Sequence, residues 1–200
     1  MRLPTADRQA PAADGLTPAY CACETLVLGC GNELFGDDGF GPAVARRLRQ
    51  RPGLPESVLA LDVGSGVRGV LFNVVLSPVR PRRIVVVDAV DLGRPPGEVW
   101  TIEARELPEI KCDDFSMHQL PTSNLLRELS DLGGVEVTCL VGQVAGLPTE
   151  VRPGLSPAME RAVEGAVEMV LQGCAPPDQA PFPAGQPAGR RAVSEEQRHG

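Results

Sequence analysis

Residues 25–51 read TLVLGCGNELFGDDGFGPAVARRLRQR, and this stretch decides the fold. Its first six residues, TLVLGC, form a short apolar run of the kind found in buried parallel strands. From Gly39 to Arg51 the period changes. Phe40, Val44 and Leu48 fall on one helical stripe with Ala45 beside it. A buried strand turning through a glycine-rich loop into an amphipathic helix is the opening unit of an α/β domain.

Working outward, the alternation continues. Val58–Val63 reads as a second strand, and Val67–Leu76 as a helix with Ser65 available as its cap. Arg83–Asp88 (RIVVVD) is the clearest buried strand in the chain. Glu98–Glu103 alternates in the manner of an edge strand. Residues 104–119 show no period. Pro121-Thr122-Ser123 starts a helix with Leu125, Leu126, Leu129 and Leu132 on one face. Val135–Val144 is a further strand. Ser156-Pro157 supplies an N-cap and a first-turn proline for a last helix that Gly173 ends. The order β-α-β-α-β-β-α-β-α predicts an α/β fold: a three-layer α/β/α sandwich around a mostly parallel, twisted sheet of about five strands. Loops after parallel strands gather at one sheet edge, where open α/β folds place their sites.

The 200 residues suit one domain. Residues 1–23 and 175–200 are rich in Pro, Ala, Gly and charge without a period, so they are expected to be a flexible extension and a disordered tail around a domain over 24–174. Apolar residues make up 42% of the chain, yet no run approaches the roughly 20 needed to cross a bilayer. The lead has no apolar core of a secretory signal, and a cytoplasmic protein with no membrane partner is expected. The net charge of −7 weighs against nucleic acid, which needs a basic face. The arginines at 46, 47, 49 and 51, and at 80, 82 and 83, read as solvated helix ends and loop. Six cysteines without C-x-x-C pairing read as reduced thiols.

The glycine loop must first be tested as a phosphate site. A dinucleotide fingerprint requires glycine three residues after Gly31, where Leu34 stands. A phosphate loop would place Lys and Ser or Thr after Gly36, where Asp37 and Asp38 stand, and two carboxylates have the wrong sign for phosphate. Asp37 reads as a cap for the following helix, for about 1 kcal/mol. One cap needs one aspartate, so Asp38 is left to face the cleft. Asp88 closes a buried strand, where a carboxylate is costly unless paired, hydrogen-bonded or bound to a metal. Asp62, in the equivalent place after the second strand, reads as satisfying its own loop. Of the two histidines, His199 lies in the tail, whereas His118 precedes a helix. Two aspartates and one imidazole make an open site suited to Ni²⁺ or Zn²⁺. Ser65 lacks the first glycine of a nucleophile elbow, since Val63 stands there. Cys112 and His118, six apart in one loop, form no recognisable catalytic pair.

Three segments carry a resemblance. LVLGCGNELFGDDGFGP (Leu26–Pro42), VVVDAVDLG (Val85–Gly93) and MHQLPTSNLL (Met117–Leu126) resemble the hydrogenase maturation proteases, with DVGSGVR and DDFSMHQLPTSNLL similar to the branch serving coenzyme-reducing, deazaflavin-type hydrogenases. The resemblance implies a twisted sheet between helix layers. It implies an endopeptidase that removes the C-terminal extension of a nickel–iron hydrogenase large-subunit precursor after nickel insertion. By the same resemblance Asp38, Asp88 and His118 are the metal ligands and catalytic residues. Nickel, carried by the precursor, is the recognition element, and another divalent metal is a substitute in vitro. The ion would polarise the scissile carbonyl or activate water, with Asp37 or a ligand carboxylate as base. Gly36, Asp37 and Gly39, with Gly41, would let the substrate tail lie close to the backbone. The free protein is expected to be a monomer. The rival readings are a nucleotide-handling enzyme and a non-catalytic chaperone that holds nickel or the precursor.

Overall fold

The structure is a computed structural model that describes residues 17–103, 120–131 and 133–174. His118, Cys112, Leu132 and His199 lie outside the described residues. Among the described residues, five strands and four α-helices follow in chain order: β1 (Thr25–Cys30), α1 (Phe40–Gln50), β2 (Val58–Gly64), α2 (Val67–Leu76), β3 (Arg83–Val90), β4 (Val99–Glu103), α3 (Leu120–Asp131), β5 (Glu136–Gln143) and α4 (Pro157–Gly173). The sheet order is β2-β1-β3-β5-β4. All pairs are parallel except β4 with β5, and β4 stands at the edge, as the alternation of 98–103 predicted.

Two apolar layers enclose the sheet. On one face Leu26, Leu28, Ile84, Val86 and Val137 pack with Leu71 and Val74 of α2 and with Leu126 and Leu129 of α3. On the other, Val27, Val85, Val87 and Leu140 pack with Phe40, Val44 and Leu48 of α1 and with Val163, Val167 and Val170 of α4. Every residue of β1 is buried, which explains its unbroken apolar run: a central strand between two helix layers has no wet face. This is the three-layer α/β/α architecture expected from the sequence.

Helix starts are set by local chemistry. At α4 the Ser156 hydroxyl accepts the Met159 N–H at 3.2 Å and proline occupies the first turn, as predicted. At α2 the expectation of a Ser65 cap is corrected. Gly66 holds the cap position and no side chain caps the helix, because a tight turn from Val63, closed by the Gly66 N–H at 2.7 Å, puts Ser65 one residue too early. The flexible extension over 1–23 is likewise corrected at its end. Ala19–Cys21 form a short 3-10 turn, Cys21 is fully buried, and the Asn73 amide of α2 donates to the Tyr20 hydroxyl at 2.8 Å. The packed body therefore begins before residue 24, because Cys21 fills a place in the α2 layer.

The arginine run of α1 is partly solvated and partly a link between helices. Arg51 pairs with Glu164 and Glu168 of α4, and Arg46 pairs with Glu33. Pairs with exposed partners add little stability, about 0–1 kcal/mol each.

Candidate active site

β1 is flanked by β2 on one side and β3 on the other, and helices α1 and α2 leave to opposite faces. The gap between the carboxyl ends of β1 and β3 is therefore the topological switch point, where open α/β sheets place ligands. The register fixes what stands there. β1 pairs with β3 only as far as Gly29 opposite Val87, while β3 continues along β5 to Val90 opposite Gln143. Asp88 is the first β3 residue beyond the reach of β1. The expectation that Asp88 ends the strand is thus corrected. Two more residues pair with β5, and it is β1 that departs.

The loop after β1 folds back on itself. Gly31 has φ +117°, and a Cβ there would stand 1.9 Å from the Asp38 carbonyl oxygen, so only glycine allows this closure. The Asn32 N–H donates to Asp38 Oδ2 at 2.8 Å, and the Leu34 N–H donates to Asn32 Oδ1 at 3.0 Å. Asp38 is half-buried, its carboxylate oriented by its own loop. Asp88 is 9% exposed and accepts the Ala89 N–H at 2.9 Å. Cys30 is the last residue of β1 and is buried. Burial pushes its thiol well above the ordinary value, and the charges of Asp88, Asp38 and Asp62, with Cys139, push the same way. The loop after β1 and the unpaired end of β3 put Asp38 and Asp88 on one rim of the sheet. Asp62 is exposed beside them.

Asp37 does something the sequence did not disclose. It is 2% exposed. Its Oδ2 accepts the Ala145 N–H at 2.8 Å and its Oδ1 the Ser156 N–H at 2.6 Å. Helix α1 has no side-chain cap, so the capping role is corrected: Asp37 ties the glycine loop to the loop after β5 and to the start of α4. A second tie runs beside it. The Arg152 N–H donates to the Leu34 carbonyl at 2.8 Å, and the Gly36 N–H donates to the Arg152 carbonyl at 2.9 Å.

Gly36, Asp37 and Gly39, the residues expected to lie beside the substrate tail, form the short turn between β1 and α1. All three are buried; Gly36 lies against Pro148 and Gly39 against Glu33. Gly41 packs helix to sheet, for a Cβ there would stand 2.3 Å from both the Cys30 and Val87 carbonyl oxygens. Gly41 thus serves internal packing, whereas Gly36 and Gly39 also line a cavity with Ala43, Arg46 and Leu155.

Gln143 is a supporting residue missed by the sequence reading. It is 2% exposed; its Oε1 accepts the Leu92 and Arg94 N–H groups, and its Nε2 donates to Asp91 Oδ1 at 2.8 Å. It thereby shapes the loop that follows Asp88. A long polar side chain closing an apolar strand was the available signal.

Among the described residues no three His, Cys, Asp or Glu side chains are grouped to hold an ion. The two aspartates suit a hard or borderline cation as oxygen donors, and further donors would have to join them.

A family model described as hydrogenase maturation protease matches residues 42–173. A Methanocaldococcus jannaschii protein named for the same proteases is 37% identical over 150 residues, covering 74% of this chain and 94% of its own. The chain belongs to the hydrogenase maturation protease family. The coenzyme F420 hydrogenase subunit delta of Methanothermobacter thermautotrophicus is 34% identical over 152 residues, covering 74% of this chain and 92% of its own. Among solved structures, the hydrogenase maturating endopeptidase HybD from Escherichia coli aligns with a TM-score of 0.62 at 28% identity, over 74% of this chain and 90% of that one. Asp88 falls within the segment matched to the hydrogenase maturation protease model, whereas Asp37 and Asp38 precede it.

Proposed function

We propose that this hydrogenase maturation protease cuts the C-terminal extension from a nickel-loaded hydrogenase large-subunit precursor at the rim that carries Asp38 and Asp88, with His118 as a third donor. The observation that carries the reading is the register at the switch point: Asp88 is the first β3 residue beyond the reach of β1, and Asp38 stands in the loop by which β1 departs, its carboxylate accepting from Asn32. Its support for His118 is topological. Helix α3 leads through a short turn into the amino end of β5, so its first turn faces the carboxyl rim, and His118 precedes Leu120 by two residues. The substrate's nickel is the recognition element: Asp38, Asp88 and His118 complete its coordination, which restricts cleavage to metal-loaded precursor. The similarity to an F420 hydrogenase subunit supports a coenzyme-reducing hydrogenase as the source of that precursor. The protein acts as a cytoplasmic monomer; among the described residues no helix is long and apolar enough to cross a membrane.

Chemically, hydrolysis needs a base for water and a donor for the leaving amine. Asp37 is excluded as the base because both its oxygens are engaged by buried N–H groups. That role falls to Asp38 or Asp88. Asn32 orients the Asp38 carboxylate, and Ala89 orients that of Asp88.

The test mixes purified protein with nickel-loaded precursor and follows the large subunit on a gel. Shortening by the natural protein, and none with Asp38→Ala, Asp88→Ala or His118→Ala, is expected. Normal shortening by any of the three variants refutes that residue's assignment. A stable complex with unchanged mobility refutes cleavage and leaves a holding chaperone.

A further inference from the structure

Large apolar side chains exposed among the described residues are Leu34, Phe72, Leu76, Leu147 and Val151. They fall in two places. Phe72 and Leu76 lie one turn apart on α2. Leu34, Leu147 and Val151 come from two loops far apart in sequence, yet those loops are bonded to each other at the carboxyl rim. The Arg152 N–H, next to Val151, donates to the Leu34 carbonyl. Pro148, next to Leu147, lies against Gly36. The three side chains are 50%, 49% and 64% exposed.

The patch is registered to the carboxylate. Asp38 accepts from the Asn32 N–H, and Asn32 accepts from the Leu34 N–H. Leu34 in turn accepts from Arg152. Asp37 locks both loops from beneath through Ala145 and Ser156. An apolar surface set on a hydrogen-bonded frame with a candidate catalytic residue holds its occupant at a constant distance from the reacting atoms. Exposed apolar groups gathered beside a site mark where a partner buries its own apolar surface.

We infer that Leu34, Leu147 and Val151 form the docking surface for an apolar segment of the precursor polypeptide next to the bond that is cut. This inference rests on the reading of Asp38 as part of the active site. The occupant is the precursor itself: the surface is continuous through bonded backbone with that site, and the substrate is a polypeptide whose chain has to cross the rim to reach it. The patch sets the register of the tail, and the carboxylates do the chemistry.

The experiment compares Leu34→Ser/Leu147→Ser/Val151→Ser with Phe72→Ser/Leu76→Ser, each assayed on nickel-loaded precursor. Val151→Ser alone, at the most exposed of the three positions, is the second variant should the triple change not fold. The rim variants are expected to raise KM, on the order of tenfold for the triple change, with kcat and melting temperature little changed. That pattern is the loss of uniform binding. The α2 pair is expected to leave KM within about twofold. An unchanged KM in the rim variants, or a rise only in the α2 pair, overturns the inference. Asp38→Ala keeps the two readings apart. It is expected to retain precursor in a pull-down without cutting it, and to lose that retention when the three serines are added. Cleavage by Asp38→Ala refutes the active-site reading, whereas retention despite the serines refutes the docking surface.

Discussion

Replacing Asp37 with alanine tests the internal logic of the rim most directly. The carboxylate is 2% exposed and accepts two backbone N–H groups, from Ala145 at 2.8 Å and Ser156 at 2.6 Å. Hydrogen bonds to a charged group contribute about 1.5–3 kcal/mol each, and donors left without a partner in the interior add a desolvation cost. Loss of the side chain is therefore expected to cost about 3–6 kcal/mol, a large share of the 5–15 kcal/mol typical of a domain. A helix cap alone would cost about 1 kcal/mol. Urea unfolding followed by far-ultraviolet circular dichroism separates the two. With a slope near 2 kcal/mol per molar, the midpoint is expected to fall by about 1.5–3 M at unchanged slope. Asp37→Asn keeps one acceptor oxygen and turns an NH₂ toward the other donor, so it should lose about half as much. A midpoint within about 0.5 M of the natural protein would show that the two long-range bonds contribute nothing beyond a cap.

Asp38→Ala and Asp88→Ala should stop precursor processing while far-ultraviolet dichroism stays native; unfolding of Asp38→Ala, whose carboxylate is half-buried, would count against a functional assignment. Gly41→Ala should fail to fold or lose more than about 4 kcal/mol, because its Cβ meets two backbone carbonyls at 2.3 Å; natural stability in chemical denaturation contradicts this packing. Burial, with Asp88 and Glu103, pushes the Cys139 thiol up from 9.0 to about 12. The folded chain thus holds that proton longer than the unfolded one, and this contribution is complete below pH 9 and lost as pH rises from 9 toward 12. Denaturation midpoints should fall over that window, more steeply in the natural protein than in Cys139→Ala; parallel slopes refute the assignment.

The elements were legible because their signals are local. The apolar run of β1, the stripe of α1 and the Ser156-Pro157 start of α4 each declare themselves within a few residues, and the alternation of strands and helices then dictates a parallel sheet. That Asp38 and Asp88 come near the carboxyl ends of β1 and β3 was also legible, since each follows a buried apolar run. What escaped was decided at long range. Asp37 resembles a cap because a helix follows it, but the groups it satisfies lie 108 and 119 residues away. Gly41 resembles an opening for a ligand, and the space beside it is filled by two strand carbonyls. Asp88 looked terminal because the apolar run stops there, whereas the partner strand β5 carries the pairing two residues on.

The Asp37 ties have a mechanical consequence. Segments following β1 and β5 and preceding α4 are pinned by one buried side chain, so these three are expected to open together, and the Ala145 and Ser156 amides should exchange with deuterium at one common, slow rate that Asp37→Ala abolishes.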